Sequence, residues 1–464
     1  MLRFHDHSQP STSRRSFLQV GSLALGGLSL PQLLQAQSKA NGLGRSLKDK
    51  SVVFLFMHGG PSQIETFDPK MTAPSEIRST TGEIPTSIPG ITYGGTMTRL
   101  ARQAHRSVVV RSFATGDGNH DIKPIVGKQS LGANLGSIYA RVAGATRPAS
   151  GMPTNVTLLP RAVDEAAQEV TRQFGKFEAT GPVGSVYAPF MPGSGGDLQE
   201  DMTLHLARQR LDDRRHLLDQ LDDLKRTLDK SGGSRLNTFQ EQAFDTIIGG
   251  VSDAFDLSKE DPRTLARYDT SPLVSPSSIR KVWNNHKNYR DHGQSLGKLM
   301  LMARRLCERG CGFVTVTTNF VWDMHADANN ATMTEGMRYV GQPFDHAVSA
   351  FIEDVHERGL SDKILLVCCG EMGRTPRINA KGGRDHWGKL APLLLSGGGL
   401  EMGRVIGEST RDAGEPNSEI VTQSHLISTL MHTLFDVGQA RLLDHLPREV
   451  ARLITDGEPI PGLI

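Results

Sequence analysis

The chain has 464 residues, enough for one large domain with insertions or for two domains. Its formal net charge is +2, and residues 1–36 hold three of the 52 basic and one of the 50 acidic residues, which leaves 49 of each. A balance this close to neutral gives no electrostatic signal for nucleic acid, so we expect no nucleic-acid partner. Four cysteines are too few for a disulfide framework.

The N-terminal segment has the features of an export signal. Residues 13–18 (SRRSFL) form a twin-arginine motif, and a mildly apolar, glycine-rich stretch follows, broken by Pro31. This stretch is shorter than the ~20 residues that a membrane-spanning helix needs. We therefore predict a twin-arginine signal peptide over residues 1–36, with Ala40 as an alternative cleavage position. The protein is expected in the periplasm or outside the cell, and it should meet the membrane only during export.

Short apolar runs alternate with amphipathic segments along the rest of the chain. The runs are continuous rather than alternating, as expected for strands whose two faces are both covered. We predict an α/β fold with a mostly parallel central sheet and helices on both faces. Strands are predicted at 52–57, 107–110, 156–159, 312–318, 364–369 and 391–396. Helices are predicted at 97–103, 295–309, 343–357 and 424–435.

Residues 193–291 differ in character from the segments on either side. Leucines recur near a helical period over 202–230, and 239–255 has a second helical pattern. We predict a helical insertion here, within one domain that spans 37–464, placed over the edge of the sheet.

Four of the predicted strands end in loops that hold histidine or carboxylate side chains. Parallel strands place their carboxyl ends at one edge of a sheet, and ligands bind beyond that edge. The four loops are therefore expected to form one site. The candidates are His58, Glu65 and Asp68; Asp117, His120 and Asp121; Asp323 and His325; and Glu371, Asp385 and His386.

These residue types suit metal chemistry. Carboxylate oxygens and imidazole nitrogens bind zinc, manganese or iron, and Asp323 and His325 lie on the same side of an extended segment. Arg374, Arg377 and Arg384 could hold phosphate, sulfate or carboxylate. A metal beside arginines is typical of enzymes that hydrolyse anionic esters. As alternatives, Glu371 and Arg374 could form an ion pair that fixes the loops, and His58 could be a hydrogen-bonded core histidine.

The motifs HGGPSQIETFDPK, NFVWDMHADAN, GEMGRTPRIN and GRDHW, behind a twin-arginine leader, resemble a bacterial family numbered domain of unknown function 1501. The likeness runs in order through most of the chain after the leader. It implies the alkaline phosphatase and sulfatase-like superfamily, hence a metal-dependent hydrolase fold. By this likeness Asp323, His325 and His386 are metal ligands. Glu371 takes the place of the aspartate in an Asp–His pair, but no histidine follows it.

Two further departures concern the first loop and the nucleophile. Glu65 stands where family members often carry aspartate, although Asp68 remains. No cysteine or serine occurs in a C/S-x-P-x-R arrangement, so the formylglycine signature of sulfatases is absent. The nucleophile is unassigned, and Ser62, Thr66 and Thr115 are candidates by loop position alone.

The resulting hypothesis is an exported metal-dependent hydrolase that acts on a phosphate or sulfate ester, carried by a small molecule or a polysaccharide. The cofactor is a divalent metal, such as zinc, manganese or calcium. The alternative is a non-catalytic exported protein that keeps the fold for binding or surface assembly; the oligomeric state is left open. The expected metal ligands are Asp323, His325, Asp385 and His386, with Glu371 and Asp68, and the expected catalytic residues are Arg374, Arg384 and Glu371.

Overall fold

The structure is a computed structural model that describes residues 46–148, 150–193, 251–444 and 446–464. The predicted signal peptide lies outside the described residues, as do the predicted helix at 202–230 and most of the one at 239–255. Within the described ranges, no helix combines the length and apolarity needed to cross a membrane.

The described elements follow the predicted alternation. The strands are β1 (Ser51–Phe56), β2 (Glu83–Pro85), β3 (Thr92–Gly94), β4 (Val108–Val110), β5 (Phe113–Ala114), β6 (Asn155–Leu158), β7 (Phe313–Thr317), β8 (Ile364–Cys369), β9 (Gly373–Arg374), β10 (His386–Trp387), β11 (Leu393–Gly397), β12 (Arg404–Ile406) and β13 (Val421–Thr422). The helices are α1 (Gln63–Thr66), α2 (Thr98–Arg102), α3 (Leu135–Ala143), α4 (Ser252–Phe255), α5 (Pro262–Tyr268), α6 (His286–Glu308), α7 (Met333–Glu357), α8 (Gln423–Leu434), α9 (Val437–Ala440) and α10 (Arg448–Thr455).

The central sheet of the described chain has seven strands in the spatial order β12-β4-β11-β8-β1-β7-β6. Strand β1 pairs in parallel with β7 and β8, and β7 pairs in parallel with β6. Strand β11 runs antiparallel to both β8 and β4, so β4 has the same direction as β8. The mostly parallel sheet is confirmed. The four strands with polar loops, β1, β4, β7 and β8, all end at one edge.

Helices cover both faces of the sheet, as predicted. Along β1 the side chains alternate: Val53 and Leu55 pack in the core with α6 and α7, whereas Val52, Phe54 and Phe56 pack in the core with α3 and α8. A fully buried side chain of this kind stabilises the fold by about 1.5–3 kcal/mol. The two-sided burial explains why β1 is a continuous apolar run.

Two core helices begin earlier than the sequence predicted. Helix α6 starts at His286. The sequence did not reveal this start because the first turns of the helix are polar and lack the apolar period that marks the later turns. Helix α7 starts at Met333, where Thr332 caps it by accepting a hydrogen bond from Glu335 N at 3.2 Å. Pro343 was placed at the helix start, its usual position, but it lies inside the helix.

Residues 251–268, within the predicted insertion, pack against the core. Phe255 and Tyr268 are buried, and the Tyr268 hydroxyl donates to Asp354 Oδ2 at 3.1 Å. The buried Arg304 forms ion pairs with Asp354 at 2.9 Å and with Glu260 at 2.8 Å. These contacts join residues 251–268 to α6 and α7.

One buried histidine of α6 predicts a pH dependence of stability. His292 lies between Thr318 Oγ1 (2.8 Å) and the Val340 carbonyl (3.1 Å), and burial lowers its pKa to about 4. Unfolding returns it to about 6.5, so the unfolded state binds the proton first as pH falls. Between pH 6.5 and 4 this residue should remove about 1.4 kcal/mol of stability per pH unit.

Urea unfolding of wild type and His292→Gln at pH 7 and pH 5 tests this expectation. From pH 7 to pH 5, the free energy of unfolding of the variant should fall by about 2 kcal/mol less than that of the wild type. His356→Gln, at an exposed position of the next helix, is the matched control and should follow the wild type. Equal acid sensitivity of wild type and His292→Gln would contradict the assignment.

Candidate metal centre

Four side chains from three different segments of the chain converge beyond the carboxyl ends of the parallel strands. His120 comes from the loop after β5, Asp323 and His325 from the loop after β7, and His386 from β10. One ligand atom from each residue lies within 4.8 Å of the others. The cluster therefore stands at the edge where the sequence predicted a site.

Asp323 is the centre of this cluster. Its Oδ1 atom lies 2.7 Å from His325 Nε2, 3.4 Å from His120 Nε2 and 3.6 Å from His386 Nε2. The Nε2 atoms of His325 and His386 are 2.7 Å apart. All three imidazoles thus direct the same ring nitrogen at one carboxylate oxygen.

Two donors hold the Asp323 carboxylate in place. Arg374 Nη2 donates to Oδ1 at 2.6 Å, and Asn330 Nδ2 donates to Oδ2 at 2.8 Å. Burial alone would raise the pKa of Asp323, but the Arg374 charge and the histidine hydrogen bonds lower it well below its usual range. The carboxylate is therefore ionised across the physiological pH range.

The imidazoles differ in their surroundings. Burial lowers the pKa of His386 below its ordinary value, although the hydrogen bond with Asp323 opposes this shift. Burial also acts to lower the pKa of His120, but its hydrogen bonds with Asp323 and Glu371 outweigh burial and raise it. The side chains of His325 and His386 are 20% and 30% exposed, so a small ligand can reach the cluster from solvent.

The loop that carries His120 is held internally and against its neighbour. Lys123 Nζ donates to Asp117 Oδ1 at 2.9 Å and to the Asn119 carbonyl at 3.2 Å. Gly116 N donates to the Gly388 carbonyl at 2.9 Å, directly after β10. These bonds place the His120 ring against the His386 ring, with centroids 4.1 Å apart.

Aromatic rings form an apolar wall on one side of the cluster. Phe174 and Phe320 stack with centroids 4.6 Å apart, and His120 packs against both. Phe320 has a φ of +49°, a conformation that bulky residues rarely adopt. His58 packs edge-on against Phe320, and burial lowers its pKa to about 4. Its Nε2 has no hydrogen-bond partner among the described residues, and His58 lies beside the cluster without belonging to it.

Glu371 and Asp385 lie behind the cluster. Glu371 is fully buried and accepts hydrogen bonds from Gly59 N at 2.9 and 3.2 Å, while its Oε1 lies 3.1 Å from His120 Nδ1. The Asp385 side chain is 60% exposed, and its Oδ1 lies 3.5 Å from His325 Nδ1. Both carboxylates thus face the ring nitrogens that point away from Asp323.

A family model described as "Protein of unknown function (DUF1501)" matches residues 49–464. The chain belongs to this family. The resemblance seen in the sequence motifs is confirmed. No curated protein matches the chain.

Solved structures similar to this member of the family include three bacterial hydrolases. A sulfatase from Pseudoalteromonas sp. has 11% identity and a TM-score of 0.38, covering 93% of this chain and 77% of its own. A phosphonate monoester hydrolase from Silicibacter pomeroyi has 10% identity and a TM-score of 0.35, covering 89% and 78%. An alkaline phosphatase from the Antarctic bacterium TAB5 has 11% identity and a TM-score of 0.27, covering 79% and 96%. Because these scores are low, the chemistry of this family member has to be argued from its own site.

Asp68, an expected metal ligand, lies outside the cluster. Its Oδ2 lies 3.2 Å from Lys70 Nζ and accepts a hydrogen bond from Ser409, while Oδ1 lies 3.4 Å from Arg111. Local cations and a hydroxyl satisfy this carboxylate, and the structure does not bring it to the other expected ligands. Asp68 joins the first loop to Ser409 and Arg111.

Arg384, expected to hold an anionic substrate, is also placed elsewhere. It is fully buried and pairs with Glu65 at 2.9 Å, and its remaining donors bond to the carbonyls of Ile77, Arg78 and Pro376. No donor is left for a ligand. Glu65, which replaces the usual aspartate of the first loop, is thereby also committed to the interior.

Arg374 is buried beside the cluster, and Arg377 is largely exposed near Glu76. Arg374 donates to Asp323 and to the carbonyls of Gly60 (2.7 Å) and Arg384 (3.2 Å), so it is mainly an internal partner. Its Nη1 lies 3.4 Å from His325 Nε2, which puts a positive charge next to the cluster. The expected ion pair of Arg374 is made with Asp323 rather than with Glu371.

The proposed hydroxyl nucleophiles have structural contacts. Ser62 caps α1 by accepting a hydrogen bond from Glu65 N at 3.3 Å, and Thr66 Oγ1 donates to the Ser62 carbonyl at 2.8 Å. Thr115 Oγ1 is buried without a partner among the described residues. The Thr66 hydroxyl proton is used inside α1, whereas the Ser62 hydroxyl serves only as an acceptor in these contacts.

The sequence named His120 among its loop residues but left it out of the ligand set. Nothing in the sequence favours one of these three residues, Asp117, His120 and Asp121, because the spacing in a loop does not show which side chain turns inward. The structure uses Asp117 and Asp121 to hold Lys123 and directs His120 at Asp323. The position of this loop at the shared sheet edge was the available signal.

Proposed function

We propose that the protein is an exported metal-dependent hydrolase that acts on phosphate or sulfate esters. His120, Asp323, His325 and His386 are the residues that would hold the ion. The convergence of three imidazole nitrogens and one ionised carboxylate oxygen within 4.8 Å carries this proposal. When bound, the ion supplies Lewis-acid chemistry for ester hydrolysis.

The spacing and type of the donor atoms fit a transition metal. Ligand atoms about 2.1 Å from a tetrahedral ion lie about 3.4 Å from one another. The separations from Asp323 Oδ1 to the three Nε2 atoms are 2.7, 3.4 and 3.6 Å. Three nitrogens and one oxygen suit zinc or manganese, whereas calcium prefers six to eight oxygens. We therefore propose zinc first, and we place calcium last among the expected ions.

The residues around the cluster supply the remaining requirements. Arg374 and Asn330 keep Asp323 ionised and oriented, so a cation meets a fixed negative charge. The Phe174–Phe320 wall keeps water from one side of the imidazoles, which strengthens electrostatic interactions there. The opposite side is reached through the partly exposed His325 and His386, and the Arg374 charge next to His325 favours an anionic substrate.

Two measurements on the purified wild-type protein test the proposal. Metal analysis should find about one transition-metal ion per chain, by the chemistry of this ligand set. The metal-loaded protein should hydrolyse an aryl phosphate or an aryl sulfate, and both reactions should stop on treatment with a chelator. His386→Ala should lose the ion, while Asp68→Asn, outside the cluster, should keep it. A folded wild-type protein that binds neither zinc nor manganese would contradict the proposal.

The alternative is a non-catalytic exported protein that uses the fold for binding or surface assembly. It is favoured by the internal pairing of Arg384 with Glu65 and by the structural contacts of Ser62 and Thr66. Stoichiometric metal without turnover of either class of ester would favour this alternative over the hydrolase.

A further inference from the structure

Two of the three clustered imidazoles have a carboxylate behind them. Glu371 Oε1 lies 3.1 Å from His120 Nδ1, and Asp385 Oδ1 lies 3.5 Å from His325 Nδ1. In both rings the opposite nitrogen, Nε2, points to Asp323. The two carboxylates thus occupy equivalent positions relative to the cluster, although they come from different loops.

Backbone contacts fix the Glu371 carboxylate. The Gly59 N–H lies within hydrogen-bonding distance of both oxygens, at 2.9 and 3.2 Å, and the side chain is fully buried. Gly59 has a φ of +111°, and a Cβ there would lie 2.6 Å from Asp323 N. Only glycine fits between these loops, so its amide can reach Glu371. The carboxylate is thereby aimed at His120 before any ligand arrives.

A carboxylate at Nδ1 decides how the imidazole can act. A neutral imidazole carries one proton, and an Nδ1–H that donates to a carboxylate leaves Nε2 with a free lone pair. The same hydrogen bond fixes the orientation of the ring and makes Nε2 a better ligand. Asp385 provides this contact more weakly, because its side chain is mostly exposed and the distance is longer. Asn379 Nδ2 steadies it by donating to Oδ1 at 3.1 Å.

We propose that Glu371 and Asp385 are positioning residues that prepare His120 and His325 to bind the ion through Nε2, and that neither carboxylate coordinates it. This inference rests on the proposed metal site. It also assigns Glu371 a role that differs from that of the metal-binding aspartate it replaces in the family resemblance.

Zinc affinity of the purified protein, measured by competition with a chromogenic chelator at pH 7.5, tests the inference. Glu371→Gln removes the negative charge that strengthens the hydrogen bond from His120 Nδ1–H, so zinc should bind about 10–100-fold more weakly. Asp385→Asn should weaken binding less, by up to about 10-fold. Both variants should still bind one ion, and Glu419→Gln, an exposed matched control, should bind like the wild type.

A second readout needs no substitution. In the cobalt-loaded wild-type protein, the proton NMR spectrum should contain a shifted, slowly exchanging imidazole N–H from His120, since Glu371 is buried. Its absence would overturn the inference even if Glu371→Gln does not fold. The inference would also be overturned if both variants bound zinc like the wild type. A folded Glu371→Gln protein that bound no zinc at all would overturn it too. A wild-type protein without metal affinity would instead overturn the proposed function together with this inference.

Discussion

Glu65→Gln should lower the free energy of unfolding by about 3–5 kcal/mol, which is the usual consequence of removing one partner of a buried ion pair. Glu65 and Arg384 are both 0% exposed, and Glu65 Oε1 accepts from Arg384 Nη2 at 2.9 Å and from Nε at 3.2 Å. Its other oxygen accepts from Ser79 Oγ at 2.8 Å and from Thr80 N at 3.0 Å. A glutamine would leave the guanidinium charge uncompensated and turn an N–H group toward other donors.

Urea unfolding measures this loss, and a double variant gives the control. Glu65→Leu with Arg384→Met removes both charges, so it should be less destabilised than Glu65→Gln despite the larger chemical change. Both proteins, where folded, should keep the metal, because the pair lies outside the cluster. A stable Glu65→Gln protein that loses only ester turnover would contradict this structural role and restore Arg384 as a substrate-binding residue.

The location of the site could be predicted from the sequence because it follows from strand direction. Continuous apolar runs identified β1, β7 and β8 within a residue or so, and parallel strands place their following loops together. This rule placed Asp323, His325 and His386 at one edge together with other loop residues, and the family resemblance singled out these three as metal ligands. The prediction of the location needed only the local pattern at each strand and the general geometry of α/β sheets.

The pairing of buried charges could not be predicted in the same way. Glu65 and Arg384 are 319 positions apart, and nothing near Arg384 in the sequence shows that a carboxylate meets it in the interior. The same holds for Glu371, whose partners are Gly59 and His120. A charged residue in a loop therefore suggests a site, whereas its role depends on contacts that form only in the folded chain.

Strand direction itself was not visible for β11. Its run of leucines is as continuous as that of β8, since both strands are covered on two faces, yet β11 lies antiparallel between β8 and β4. An apolar pattern indicates that a strand is buried, but it does not indicate the direction of that strand in the sheet. The starts of helices α6 and α7 were misplaced for other reasons: the first turns of α6 are polar, and Pro343 inside α7 suggested a helix start there.

Among the three aspartates expected to bind metal, only Asp323 should be essential for binding. Asp323→Asn should weaken zinc binding by more than the ~10–100-fold expected for a residue that acts through a ligand. It removes the negative charge that all three Nε2 atoms face. Asp385→Asn changes a group that contacts only the back of His325, and Asp68→Asn changes a group outside the cluster. Asp323→Asn should therefore bind zinc far more weakly than Asp385→Asn does, and Asp68→Asn should bind zinc like the wild type.

The stability of the metal-free variants has to be measured with the affinity, because Asp323 also balances the buried Arg374. Asp323→Asn should lose about 3–5 kcal/mol of unfolding free energy as a broken buried pair. His386→Ala separates the two effects: it removes a ligand and leaves the Asp323–Arg374 contact intact, so it should lose zinc with a smaller loss of stability. If Asp323→Asn remains folded and binds zinc as the wild type does, Asp323 is only the partner of Arg374 and the ion is held elsewhere.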